Sequence, residues 1–235
     1  MFKKKPILKY ESQVDFYPNV ITLSKSHVPK WYKKVNMWKN NEVFSMEKGF
    51  DKTKTIKHCL AFLDSLTSGY MLVLPYDFYV INNNGTPHIA CKGDEKFSPK
   101  PQPTDSYSEL VPAGHNSLMF TWKFGAAISV PVGYSFLLTH PLNRYDLPFT
   151  TIGGIVDGGF VVNPMGSIPF YIKKDFEGII PQGTPIAQII PFHQENWSHK
   201  IVKGLTEIGR KQSLQGKAII SGWYKKTFWT RKNYD

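Results

Sequence analysis

Val130-Pro131-Val132-Gly133-Tyr134, Gly153-Gly154-Ile155-Val156-Asp157-Gly158-Gly159-Phe160 and Pro181-Gln182-Gly183-Thr184-Pro185-Ile186-Ala187-Gln188-Ile189-Ile190 belong to one stretch, Ser117 to Phe192, whose punctuation decides the fold. Short apolar, β-branched and aromatic runs follow one another there: Leu118 to Phe124, Ala126 to Val130, Tyr134 to Thr139, Thr150 to Val156, Phe160 to Val162, Ile168 to Ile172 and Ile186 to Pro191. Gly, Pro or Asn bounds each run, the mark of strands separated by turns. Strands succeeding strands predict a barrel or sandwich rather than a parallel α/β sheet.

Upstream of this stretch, Met71 to Ile81 reads as a strand pair broken at Pro75, and Asn82-Asn83-Asn84-Gly85 marks a hairpin returning through Ile89 and Ala90. Before it, Ile56, Cys59, Leu60, Phe62, Leu63 and Leu66 recur at helical spacing and predict a short helix ending before Gly69. Residues 92–112 carry Gly, Pro and Ser with few aliphatics and are expected as a long surface insertion. Three segments result: an N-terminal arm over 1–54, a β domain over 55–197, and a C-terminal helix suggested by Ile201, Leu205 and Ile208 with a basic aromatic tail over 198–235.

Composition agrees. A chain of 235 residues with 41% apolar and 20% charged residues has material for one sizeable core and is not globally disordered. Its 18 Gly and 17 Pro suit short strands better than long helices. Lys and Arg number 29 against 18 Asp and Glu, and the net charge of +11 draws the protein toward nucleic acid, nucleotides, acidic proteins or anionic lipid without choosing among them. Only Cys59 and Cys91 are present, which excludes a disulfide-stapled scaffold and points to a reducing compartment. No apolar run reaches the length of a membrane span, and the N-terminus lacks a secretory pattern, so the expectation is a soluble, unprocessed protein with no membrane partner.

The three quoted pieces resemble, in order and spacing, the trimeric dUTPase and dCTP-deaminase superfamily, with its proline-glycine-tyrosine strand entry, its apolar run ending in Gly-Val-Ile-Asp and its Gly-x-x-Ile-Ala-Gln strand. Thr67-Ser68-Gly69-Tyr70-Met71-Leu72 resembles the family's first motif, Ala-Gly-Tyr-Asp-Leu. The likeness implies a dUTPase-like β-barrel and assigns Asp157 to the residue that activates water, Phe160 to the aromatic on the sugar and Gln188 to an amide facing ligand or backbone.

The chain departs from that family's pattern at most of the groups that carry its chemistry. Met71 stands where an Asp helps hold magnesium, and a thioether is no ligand for that hard ion. Thr139-His140-Pro141-Leu142-Asn143-Arg144 replaces the phosphate-binding Arg-Ser-Ser, leaving Arg144 as a substitute cation. Val162 replaces a pocket glycine, no Gly-rich lid motif closes the chain, and Ser167 to Ile172 lacks the carboxylate of the deaminase branch.

Other constellations are weaker. His58, Cys59, His88 and Cys91 have no zinc spacing, and His140, Asp157 and Ser135 have no nucleophile elbow, so neither a metal nor a triad is expected. Trp31 and Tyr32 among Lys30, Lys33 and Lys34, and Trp223, Tyr224, Lys225, Lys226 and Trp229 in the tail, read as arms that anchor onto the barrel or a neighbouring subunit.

The expected protein is therefore mainly β, a dUTPase-like β-barrel or jelly-roll-like fold with an N-terminal arm, a short helix before the barrel and a C-terminal helix plus tail. It is expected to act without a cofactor, by association: a self-associating trimer that serves as a structural or assembly component. Its Lys-, Asn- and Ile-rich composition is similar to that of tailed-phage accessory proteins, which implies a virion or host-cytoplasm location and other virion proteins as partners. Two alternatives stand beside this: a divergent nucleotide hydrolase using Asp157, with Arg144 or tail lysines as phosphate contacts, and a module binding single-stranded nucleic acid.

Overall fold

The computed structural model describes residues 5–39, 54–102, 108–163, 165–218 and 223–235. The chain forms two compact units, one of Met1–Pro29, Ser65–Gln194 and Tyr234–Asp235, the other of Lys30–Asp64 and Glu195–Asn233.

The first unit is mainly β. Its strands are β1 (Lys9–Ser12), β2 (Ile21–Leu23), β3 (Tyr70–Val73), β4 (Phe78–Asn83), β5 (Thr86–Cys91), β6 (Pro101–Gln102), β7 (His115–Lys123), β8 (Ala126–Ser129), β9 (Tyr134–Thr139), β10 (Phe149–Thr151), β11 (Gly154–Asp157), β12 (Met165–Lys173), β13 (Gly178–Ile180) and β14 (Pro185–His193). Among the described residues every pairing is antiparallel, in four sheets ordered β11-β9-β14-β3-β2, β10-β12-β7-β6, β13-β4-β5 and β1-β8. Among the described residues these ladders stay open and do not close into a barrel.

Strand β14 takes the centre of the five-stranded sheet because Ile186, Ala187, Gln188 and Ile189 in succession are fully buried, an unbroken run fitted to a strand covered on both faces. The core beside it is aromatic. Trp122 stacks on Phe170 with ring centroids 3.5 Å apart and meets Phe149 edge-on at 4.8 Å. Its buried indole N–H donates to the Thr151 hydroxyl at 3.0 Å, so the largest core side chain leaves no polar atom unpaired.

Turn chemistry behaves as the residues dictate. Asn84 and Gly85 take φ of 51° and 85°, the left-handed pair that a two-residue hairpin between β4 and β5 requires. Helix α2 (Leu60–Thr67) stops at Gly69, whose φ is 72° and where a Cβ would lie 2.0 Å from the Ile189 carbonyl oxygen.

Several expectations change. The single run Thr150 to Val156 is two strands in two sheets: β10 pairs with β12, and after Gly153 the chain passes to β11, which pairs with β9. Phe160 to Val162 keeps one bridge, Val162 to Ile128, because Gly158-Gly159 turns the chain away first. Part of the expected loop over 92–112 is ordered: a turn of 3-10 helix at Glu95–Phe97, started by the Asp94 carboxylate accepting from Lys96 N–H, buries Phe97, and β6 pairs with β7. Residues 103–107 lie outside the described residues. In the N-terminal segment, β1 pairs with β8 and β2 with β3.

The second unit contains α1 (Lys30–Lys34), the first five residues of α2, α3 (Leu205–Ala218) and α4 (Trp223–Thr227). Tyr32 is its buried anchor: its ring stacks on Phe62 with centroids 5.6 Å apart, and Lys57 Nζ sits 4.6 Å from the Tyr32 centroid. No described helix is long and apolar enough to cross a membrane.

Candidate functional site

The four segments that carry the family resemblance occupy β3, β9, β11 and β14, which are neighbours in one sheet, in the order β11-β9-β14-β3. Strand β9 lies between β11 and β14, with Asp157 opposite Ser135 on one side and Gln188 opposite Thr139 on the other. Four residues of strand span about 13 Å, so Asp157 and Gln188 belong to opposite ends of this sheet and not to one pocket.

At the first end, Asp157 closes the edge strand β11 and is exposed. The buried Ser135 hydroxyl donates to Asp157 Oδ1 at 2.8 Å, and Gln194 Nε2 donates to Ser135 Oγ at 2.8 Å and to Asp157 Oδ1 at 3.1 Å. Gly158-Gly159 makes this possible. Gly158 N–H donates to the Tyr134 carbonyl at 2.7 Å, and a Cβ on Gly158 would lie 2.0 Å from the Pro131 carbonyl oxygen. Gly159 turns with φ of 87° and donates to the Val130 carbonyl at 2.9 Å. Past the turn, Phe160 is 62% exposed. It borders an apolar hollow of about 200 Å³ with Leu138, Val156, Val162, Ile168 and Pro169. Val162 is buried in its wall, as a branched side chain in place of glycine demands.

At the second end, Gln188 is fully buried and its amide is occupied by backbone. Oε1 accepts from Leu142 N–H at 2.9 Å, while Nε2 donates to the Ser65 and Ser68 carbonyls at 2.9 and 2.7 Å. Both amide hydrogens are thereby used. Arg144 is likewise engaged: its guanidinium grips the Asp146 carboxylate through Nε at 2.8 Å and Nη2 at 2.9 Å, and Nη1 donates to the His27 carbonyl at 3.3 Å.

His140, next to Thr139 at this same end, is a neutral imidazole. Its Nδ1 accepts from Thr151 N–H at 3.3 Å, so its Nε2 carries the proton and donates to the Arg144 carbonyl at 3.1 Å. Burial, and then the Arg144 charge, holds its pKa below the ordinary imidazole value. With both ring nitrogens held, His140 is no base for Ser135.

Met71 is buried on β3 opposite Gln188, where its sulfur fills core. Both cysteines are free thiols, Cys59 exposed and Cys91 half-buried, and burial pushes the Cys91 thiol up to about 11, far from a reactive thiolate.

The arm residues gather in the second unit. Trp31 meets Phe62 at 6.2 Å and Tyr32 at 5.8 Å, all edge-on. In the tail, the Trp229 indole N–H donates to Asp64 Oδ2 at 2.9 Å and Lys232 Nζ pairs with the same oxygen at 2.8 Å. Lys225 and Lys232 stand 6.0 and 5.8 Å from the Trp229 centroid, and Trp223 and Tyr224 pack on Phe228.

Gln194 is the site residue that the sequence does not signal. It lies just beyond β14, in no recognisable motif, and reaches Asp157 only because β9 brings Ser135 between them. Searches against protein-family models, curated proteins and solved structures give no match to this chain.

Proposed function

We propose that the chain is a catalytically silent, divergent dUTPase-like β scaffold that works by association, as a self-associating structural or assembly component of a tailed-phage virion. The observation that carries this reading is the engagement of its polar groups. At the positions where the resemblance would seat phosphate and magnesium, Arg144 is clamped by Asp146 and Met71 is core, while the Gln188 amide is saturated by backbone. Stabilising a triphosphate needs fixed cations aimed at it, and the cation nearest those positions is already neutralised. Trimeric assembly follows from the resemblance, since the fold it points to is usually trimeric. The virion assignment rests on composition and on the eroded motifs.

A divergent nucleotide hydrolase is the second reading, favoured by the exposed Asp157 carboxylate close in sequence to Phe160 and its apolar hollow. Pyrophosphate release from a panel of deoxynucleoside triphosphates, with and without magnesium, separates the two. The association reading expects no turnover above buffer. Turnover that disappears in Asp157→Asn would replace it with the hydrolase.

A further inference from the structure

The two units do not share the charge of the chain. Lys30–Asp64 and Glu195–Asn233 hold 17 Lys and Arg against 6 Asp and Glu, while the rest holds 12 against 12. The whole net charge of +11 therefore sits in the second unit. Five of the six tryptophans are there as well, all but Trp122.

Among the described residues, little of this charge is answered by an ion pair. Asp64 is taken by Lys232 and Glu207 by Arg210, whereas Lys34, Lys54, Lys200, Lys203, Lys225 and Lys226 make no ion pair among the described residues. The same unit carries solvent-exposed aromatic surface: Trp197 is 88% exposed, Tyr224 and Phe228 each 50%, and Trp31 39%. Exposed ring surface and ammonium groups without an ion pair among the described residues, carried by one unit, match a ligand that alternates negative charge with flat apolar surface. A polynucleotide has that pattern, phosphate by phosphate and base by base.

Two features narrow the ligand. Bases in a duplex already stack on one another and offer only their edges, so exposed rings favour unpaired strands. A lipid surface would call for a continuous apolar stripe on a basic helix. In α3, Leu205 and Ile208 share one side, Leu214 falls roughly opposite, and Thr206, Glu207, Gln212 and Ser213 dilute both.

We infer that the unit built from Lys30–Asp64 and Glu195–Asn233 binds single-stranded nucleic acid without sequence preference, phosphates against its lysines and bases against its exposed rings. This needs neither self-association nor a silent pocket. The test titrates the full chain into fluorescein-labelled oligo(dT) of twenty nucleotides, with a duplex of equal length and phosphatidylserine-containing vesicles in parallel. For about four phosphate contacts, affinity falls about 50-fold between 50 and 200 mM salt, and tryptophan fluorescence is quenched on binding. Lys225→Ala combined with Lys226→Ala flattens the salt slope by roughly 1.4, because two contacts are lost. Trp197→Ala weakens binding about tenfold with the slope kept, since it removes stacking alone. All three positions are exposed, and circular dichroism checks that the fold survives. Absent or salt-insensitive binding of oligo(dT), tighter binding of the duplex or the vesicles, or unchanged affinity in both variants overturns the inference.

Discussion

Asp157 and Ser135 stand opposite one another across the β9–β11 ladder, and the Ser135 hydroxyl donates to Asp157 Oδ1 at 2.8 Å. Gln194 donates to both, so the one carboxylate that the sequence singles out for chemistry is one corner of a closed hydrogen-bonded triangle. Ser135→Ala removes the buried member and leaves Gln194 as the remaining donor to that oxygen. A loss of about 1 kcal/mol is expected, read as a drop of about 2–4 °C in the thermal midpoint. An unchanged midpoint would mean that the triangle does not form in solution.

Gln188→Leu keeps the volume and removes three hydrogen bonds, stranding the Leu142 N–H and the Ser65 and Ser68 carbonyls. The expected cost is about 2–4 kcal/mol, larger than for any exposed substitution. Urea denaturation followed by fluorescence measures it. A loss below about 0.5 kcal/mol would show that these backbone groups find other partners.

Three imidazoles give the fold a pH dependence of fixed sign. Burial holds His27, His58 and His140 below the usual imidazole range, with positive charge as the second cause: Arg144 for His27 and Lys54 for His58, while for His140 the hydrogen bond to Arg144 acts upward. The unfolded chain takes up these protons near pH 6.5 and the folded chain only lower, so stability is full above about 6.5 and is lost as pH falls below it. The urea midpoint at pH 5.5 is accordingly expected below that at pH 7.5, and His140→Gln reduces the difference. A midpoint that rises on acidification contradicts the buried neutral imidazoles.

Asp64 holds two tail groups at once, the Trp229 indole and the Lys232 ammonium. Asp64→Ala frees both, and the lysine-rich tail is expected to be cut by trypsin several times faster while the β unit stays intact. Equal digestion rates for wild type and variant would show that ring packing alone retains the tail.

Much of the β unit is legible in the residues themselves. The hairpin is written in Asn84-Gly85, the end of α2 in Gly69, and the central strand in the apolar run around Gln188. Less legible are β1, β2 and β13, which are three or four residues long and acquire their state from the strand they meet. The hand-over from β10 to β11 falls at Gly153-Gly154, which interrupts the otherwise β-prone run Thr150 to Val156; a glycine pair marks a turn or a bulge alike, and the change of sheet is set by the close approach of Gly153 to the Leu138 carbonyl. For the site, Asp157, Gln188 and Arg144 are visible as residue types, but their partners are not. Gln194 and Asp146 engage them through register and turn geometry that no local motif encodes. Net charge is legible as a total, whereas its confinement to one unit depends on two segments about 130 residues apart folding together.

The central claim, action by association, is tested most directly by light scattering behind size exclusion at micromolar concentration. Three copies of a 26.9 kDa chain, about 81 kDa, are predicted across the peak. A uniform mass near 27 kDa, unchanged on concentration, would contradict it.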